Sequence, residues 1–590
     1  SGTMSLISQL SQVFGDAFEA QGLERAYGEV VVSARPDLAQ FQCNGAMPAA
    51  KRAGRNPRDL AQAVIDTIED TSHFSELALA GPGFINITLT DGYLGKYVDS
   101  LGSDPTLGVA PRPGRRIVID YGGPNVAKEL HVGHLRPAII GESVKRTLRA
   151  LGHDVTGDVH LGDWGMPYGQ LIIELEDRYP GLPYFDPQRT EGYPTDPPVS
   201  IEDLQELYPI AAARAKQDEA FAARARAAVV ELQDGRPGYR ALWQHMRNVS
   251  IEAIKAVYDR LDVEFDLWHG ESTINRRLQP MIKRLVEDGY AVESGGALII
   301  EVMTDEDTKE VPPLILLKSD GASLYTTWDL ATIEDRIDEL GAEEIIYIVD
   351  VRQGLHFEQV FRAAHKTGIA PPTVILEHSG NGTVNGPDGK PFKTREGGLL
   401  TLRELIDMVA SRAAERLEEN ELATEFDDAE KAAIAERVGL AALKYGDLQN
   451  HRSSNYIFDI DRFTSFDGKT GPYLLYGAVR MKSVLREAAE RGIKSGPVIA
   501  PVQEQERNLM LQLTRLPEVV ERAGELRAPN HVAEYAYELV AEFSRFYEKC
   551  HILREADPAR QASWLRLVET TLAELSLLLD LLTIEIPERM

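Results

Sequence analysis

The stretch Ile117-Val118-Ile119-Asp120-Tyr121-Gly122-Gly123-Pro124-Asn125-Val126-Ala127-Lys128-Glu129-Leu130-His131-Val132-Gly133-His134-Leu135-Arg136 decides the fold. Ile117 to Tyr121 is a β-rich run of strand length, and Gly-Gly-Pro-Asn turns the chain after it. Apolar residues then recur at Leu135, Ile139, Ile140, Val144, Leu148 and Leu151, the period of a helix, until Gly152 stops it. A second strand is predicted over Asp154 to Val159. Strand, helix, strand in that order marks a parallel α/β unit, in which ligands gather at the carboxyl ends of the strands. His131 and His134 flank Gly133 where the helix begins. Backbone N–H groups, helix dipole and imidazoles would all face the space of a phosphate chain. Gly133 would let a nucleotide approach the backbone closely.

Working outward, the residues before this unit mix helical periodicity with short strands, Gly28 to Ser33 and Phe84 to Leu89, an α+β pattern closed by the turn-rich Gly108 to Gly114. A boundary is placed there, giving an N-terminal domain over 4–112. The Rossmann-like α/β domain is predicted over 113–426, with a helical insertion over about 177–290. Within it Ala297 to Met303, Pro313 to Lys318, Glu344 to Asp350 and Val374 to Glu377 are expected to complete a second half of the sheet. Beyond Asp427 long apolar-periodic segments, His531 to Cys550 and Trp564 to Leu582, predict an all-α domain over 427–590.

A chain of 590 residues is several times the usual domain of about 150, which agrees with this division. Hydrophobic residues make up 43% and charged residues 26%, and no uninterrupted apolar run approaches the ~20 residues of a membrane span. The first residues lack a basic n-region with an apolar core, Ser1-Gly2-Thr3 before Met4 look like a cloning remnant, and the cytoplasm is the expected compartment. Cys43 and Cys550 alone make no disulfide framework, and no Cys/His spacing fits zinc. A net charge of -29 argues against a polyanionic partner. Basic clusters at Lys51 to Arg58, Arg112 to Arg116 and Arg276 to Arg284 nevertheless leave nucleic acid open.

A second motif stands far downstream, Gly389-Lys390-Pro391-Phe392-Lys393-Thr394-Arg395-Glu396-Gly397-Gly398. Glycines around closely spaced cations make a loop able to close on phosphate charge developing in a transition state. Gly468-Lys469-Thr470 suggests a P-loop, but Phe463 stands where its first glycine must be, so a Walker-type ATPase is discounted.

On these residues the chain resembles the class I aminoacyl-tRNA synthetases in their arginyl, bacterial form. Ile119 to Arg136 looks like the family's HIGH region, and Lys390 to Thr394 occupies the place of its KMSKS loop, with Pro391 and Phe392 for Met and Ser. Phe41 to Met47 and Gly81 to Asn86 are similar to the family's N-terminal domain; Tyr456 to Asp459, Gly471 to Tyr473 and Ile584 to Met590 are similar to its helical anticodon-binding domain. The resemblance implies ATP-dependent charging of tRNA(Arg) with L-arginine by a monomer, ATP entering with Mg2+ as a substrate complex. No protein ligand is named for the metal, and no membrane is involved. His131, His134 and Lys393 inherit the catalytic roles, and Pro124, Asn125, Gly133 and Lys390 join them around ATP.

A guanidinium presents a planar fork of donors, so an arginine pocket needs a fixed carboxylate. Asp120 and Asp329 are the candidates, and Tyr325, four residues before Asp329, would share its helix face. The resemblance matches Asp120, Asn125, Tyr325, Asp329 and Gln353 to the arginine pocket, with Asn125 and Gln353 nearer the backbone end of the amino acid. It also points Phe84 and Asn86, which share a strand face, towards the tRNA elbow, and Tyr473, Tyr476 and Met590 towards the anticodon. Two rivals stay open from the residues alone: another His-x-Gly-His nucleotidyltransferase, and a noncatalytic tRNA-binding relative.

Overall fold

The structure, a computed structural model, describes residues 4–321, 323–394 and 397–590. Arg395 and Glu396 of the second motif lie outside the described residues. Helix α1 (Leu6–Ala20) begins at Ser5, whose side chain accepts from the Ser8 N–H. Strands β1 (Val30–Val32) and β2 (Phe41–Cys43), helices α2 (Ala46–Ala53) and α3 (Pro57–Thr67), and strands β3 (Phe74–Ala80) and β4 (Phe84–Leu89) follow. The four strands pair antiparallel in the order β1-β2-β4-β3. On β4 the period of two buries Ile85, Ile87 and Leu89 and leaves Phe84 and Asn86 half-exposed on the opposite face. Helix α4 (Asp91–Gly102), capped by Thr90, leads out.

Strand β5 (Arg116–Tyr121), helix α5 (Leu135–Ala150) and strand β6 (Asp154–Asp158) follow in the expected order of an α/β unit, with the two strands paired in parallel. Five of six β5 residues are buried, as a strand covered on both faces requires. Helix α6 (Met166–Arg178) follows, and helices α7 (Ile201–Gln217), α8 (Glu219–Gln233), α9 (Pro237–Arg260) and α10 (Glu271–Glu287) lie in the region read as an insertion. Next come β7 (Ala291–Ser294), β8 (Ala297–Ile300), β9 (Leu314–Leu317), α11 (Tyr325–Leu340), β10 (Glu344–Ile348), α12 (Gly354–Lys366) and β11 (Ile375–His378). The parallel sheet runs β11-β10-β5-β6. One expectation is corrected: β8 and β9 do not extend it but form with β7 a separate antiparallel sheet in the order β7-β8-β9. Periodicity marks a strand without naming its partners, and Gly295-Gly296 closes β7 and β8 into a local hairpin, which needs no parallel crossover.

Two short strands, β12 (Val384–Asn385) and β13 (Tyr456–Ile457), pair in parallel and tie the α/β region to the helices around them. Those helices are α13 (Leu402–Glu419), α14 (Asp428–Leu448), α15 (Ile460–Phe463), α16 (Gly471–Glu490), α17 (Glu504–Leu513), α18 (Leu516–Leu526), α19 (Pro529–Lys549) and α20 (Pro558–Leu581). One apolar cluster runs from Leu6 and Phe14 through Ile119 and Leu135 to Leu539 and Leu575, so all three regions share a core. Two of the three basic clusters are neutralised internally: Arg112 pairs with Glu521, and Arg276, Arg277 and Arg284 pair with acids of α11. Among the described residues no helix is long and apolar enough to cross a membrane.

Candidate active site

Chain order reverses between β5 and β10, since β6 lies on one side of β5 and β11 beyond β10. At such a switch point the loops leave the strand ends in opposite directions and open a crevice. A cavity of about 430 Å³ lies there. Asp120 at the end of β5, Tyr347 on β10, and Val349 and Asp350 just beyond it, line its floor. Asn125, Tyr325, Asp329 and Gln353 line it too, so all five residues assigned to the arginine pocket meet in one place.

The two aspartates differ in what holds them. Asp120 accepts from Arg336 Nη2 at 2.7 Å, and the same nitrogen donates to Asp158 at 3.1 Å. Arg336 is fully buried and stays cationic between the two carboxylates. Burial raises the pKa of Asp120 against the pull of this guanidinium. Asp120 is thus already the partner of an internal arginine. Asp329 is oriented differently, by His356 Nε2 of α12 at 2.5 Å across the cavity. Tyr325 is 79% exposed at the mouth, one turn before Asp329 on α11, as the spacing required.

Glu271 and His356 are among the lining residues that escaped the sequence reading. Burial, with the neighbouring charges of Asp163 and Asp329, pushes Glu271 up to about 8. Glu271 opens α10, where an acidic residue passes for a dipole-complementing charge. Nothing local in the sequence separates that role from a pocket wall.

Beside the cavity the first motif folds on itself. Asn125 bridges Gly162, and the Val126 N–H donates to the Gly162 carbonyl at 3.1 Å. A Cβ on Gly162 would lie 2.3 Å from Asn125 Oδ1, so only glycine leaves room for that amide. Pro124 returns the contact, its carbonyl accepting from Gly162 N–H at 3.1 Å. Ala127 adopts φ 73 without being glycine, a strain that accumulates at functional loops. His131 Nδ1 accepts from the Gly133 N–H at 3.0 Å, and His134 Nδ1 accepts from the His131 N–H at 3.1 Å. With both Nδ1 lone pairs engaged, each ring carries its proton on Nε2. Burial lowers both imidazoles, His134 to about 3, so they are neutral donors. A Cβ on Gly133 would stand 2.7 Å from the His131 ring, so the glycine also makes room for its own neighbour.

The second motif forms a turn in which Lys393 bridges Leu399 and the Thr394 N–H donates to the Gly398 carbonyl at 2.7 Å. Lys390 and Lys393 are exposed, and neither has an ion-pair partner among the described residues. The loop then meets the first motif directly. Val132 N–H donates to the Leu400 carbonyl at 2.8 Å, and Leu402 N–H to the Leu130 carbonyl at 3.0 Å. Two cation- and imidazole-bearing segments far apart in sequence therefore lie in backbone register. Gly468-Lys469-Thr470 is no phosphate loop: Lys469 pairs with Glu534 at 2.8 Å and Thr470 caps α16.

The residues assigned to tRNA contact do not line this cavity. On the N-terminal sheet Asn86 accepts from Gln42 Nε2 at 2.8 Å beside Phe84, adding a residue that the sequence reading missed. On α16 Tyr473 is half-buried with its ring 5.6 Å from that of Tyr537, whereas Tyr476 is 42% exposed. Met590 packs partly buried on the core. Trp164 is buried edge-on to Trp243 at 5.1 Å and belongs to the packing.

The sequence matches the family of class I tRNA synthetases (R), catalytic domain, over residues 98–460. It also matches the arginyl tRNA synthetase N-terminal domain over 4–89 and the DALR anticodon binding domain over 474–590. An arginine–tRNA ligase of Alkaliphilus oremlandii is 48% identical over 587 residues, 99% of this chain and 100% of the relative. One of Maricaulis maris is 49% identical over 593 residues, again 99% and 100%. The arginyl-tRNA synthetase of Plasmodium falciparum shares the fold, with a TM-score of 0.82 at 24% identity and 100% of both chains covered. The chain belongs to the arginyl-tRNA synthetase family, built on the class I catalytic domain.

Proposed function

We infer that the protein ligates L-arginine to the 3'-terminal adenosine of tRNA(Arg). In the first step the arginine carboxylate attacks the α-phosphate of ATP and pyrophosphate leaves, giving arginyl-adenylate. In the second the terminal ribose hydroxyl attacks the activated carbonyl and AMP leaves. Neither step asks for a nucleophile from the enzyme, so catalysis rests on positioning and on charge stabilisation. The observation that carries the reading is the register of Leu130–Val132 with Leu400–Leu402 beside a carboxylate-lined cavity at the switch point of the sheet.

In this reading His131 and His134 donate through Nε2 to phosphate oxygens, and Lys393 meets the charge of the departing pyrophosphate, with Lys390 on the same loop. Pro124, Asn125 and Gly133 shape the adenosine side. ATP enters as its magnesium complex, the ion offsetting phosphate charge. Asp329 and Tyr325 take the guanidinium end, aided by Glu271. Asn125 and Gln353 take the other end, and Asp120 acts on the pocket through Arg336. Phe84 and Asn86 meet the tRNA elbow, while Tyr473, Tyr476 and Met590 meet the anticodon loop. The three regions, 4–112, 113–426 and 427–590, act as tRNA-recognition, catalytic and anticodon-binding domains of a monomer working in the cytoplasm. An aminoacylation assay with each of the twenty amino acids and total tRNA tests the assignment. Arginine alone should be charged; transfer of another amino acid, or adenylate formation with no RNA product, would overturn it.

A further inference from the structure

Arg136 stands two positions after His134 at the start of α5, yet it is 2% exposed and its guanidinium points out of the α/β unit. Its Nε lies 3.4 Å from the carboxylate of Asp447 in the last turn of α14. Nη1 donates to the Ser454 carbonyl, Nη2 to that of His451 at 3.4 Å, and the plane stands over the Tyr456 ring at 5.1 Å. Tyr456 in turn donates its hydroxyl to Asp447 at 2.7 Å. No lysine could serve a carboxylate, two carbonyls and an aromatic face at once.

These contacts close a circuit through the lysine loop. Tyr456 opens β13, which pairs with β12 at Val384, and β12 runs straight into the loop of Lys390 and Lys393. Phe458 supports that loop, its ring 5.5 Å from Phe392. The far end of the loop returns at Leu400, whose carbonyl receives the Val132 N–H beside His131 and His134. Asp447 brings the helical region into the same circuit, because α14 takes the start of α16 with no gap: a Cβ on Gly471 would lie 2.0 Å from the Ala441 carbonyl oxygen. The loop itself is glycine-rich and its lysines have no ion-pair partner among the described residues, so its place is set from outside.

We propose that Arg136, Asp447 and Tyr456 are positioning residues that hold the lysine loop in register with the two histidines, so that Lys393 reaches the charge developing on phosphate. The inference rests on the role proposed above for Lys393. A misplacement of about 1 Å in such a group can cost about 10²-fold in rate, whereas substrate binding elsewhere is left alone. Tyr456→Phe removes one hydroxyl and keeps the ring. It should lower kcat for adenylate formation, with arginine, ATP and tRNA present, by at least tenfold, with KM for arginine and tRNA within twofold. In a Lys393→Ala background the same change should alter kcat by less than twofold, because the device acts through that lysine. An unchanged kcat in the otherwise native enzyme, or an equal tenfold loss in both backgrounds, overturns the inference and leaves the reading of Lys393 intact. Full activity of Lys393→Ala alone overturns both. Should Tyr456→Phe not fold, Arg136→Lys enters the same cycle with the same expectations.

Discussion

Asp329 and Asp120 are carboxylates of one pocket with opposite surroundings. Asp120 is occupied by the internal guanidinium of Arg336, while Asp329 is aimed by His356 at the open cavity. Asp329→Asn keeps the volume and removes the charge. Truncating one partner of a buried charge-assisted pair matters by about 2–5 kcal/mol, so kcat/KM for arginine should fall at least tenfold, and that for neutral citrulline much less. Equal losses for both substrates would reduce Asp329 to a fold residue. Asp120→Asn should instead appear as lost stability, since it uncovers a buried cation. Glu271 adds a pH signature. Its carboxyl is raised from 4.5 to about 8, so the protonated form contributes stability that is full below pH 4.5 and is lost as the pH rises through about 8. An arriving guanidinium favours the anion, so arginine binding near pH 7 should release a proton and tighten as the pH rises towards about 9. Calorimetry in buffers of different ionisation enthalpy reads that proton, and Glu271→Gln should abolish it. Binding without proton release in the native protein would remove Glu271 from the pocket chemistry.

At the scale of an element, α16 distributes its two tyrosines between packing and solvent. Tyr473 leans on Tyr537 and Tyr476 stands 42% exposed with Phe466 at 6.4 Å. A ring that stacks an unpaired base contributes about 1–3 kcal/mol. Tyr476→Ala should therefore raise KM for tRNA by about five- to hundredfold at an unchanged melting temperature, whereas Tyr473→Ala should weaken tRNA use and lower the melting temperature together. Aminoacylation kinetics beside thermal melts make the check. Normal tRNA affinity in a folded Tyr476→Ala variant would leave the residue without a role in recognition.

At the scale of the molecule the helical region is not a detachable module. Arg136 is buried against Asp447, and Glu344 on β10 is buried between Arg115 and Arg527. Cutting the chain after Asp427 leaves the buried Arg136 without its carboxylate, worth about 3–5 kcal/mol, leaves Glu344 with Arg115 alone, and opens the shared apolar core. Residues 4–427 should accordingly fail to fold, and the intact chain should unfold in one cooperative transition by calorimetry. A truncated protein with a native-like melt that merely fails to charge tRNA would overturn this.

The strand from Ile117, the helix from Leu135 and the strand from Asp154 were legible because their periods are local properties of the chain. The two motifs that meet at Leu130–Val132 and Leu400–Leu402 could be picked out because glycine, histidine and lysine cluster there at short spacing. Tyr325 and Asp329 could be placed on one face for the same reason, the turn of a helix being 3.6 residues. Other features belong to tertiary structure alone. Which sheet β8 and β9 join, which aspartate is spent on Arg336, and how Glu271 and His356 come to face Asp329 all depend on residues distant in sequence. The same holds for the burial that neutralises His134 and raises Glu271, because a side chain's solvation is set by whatever packs over it, and no local pattern encodes that.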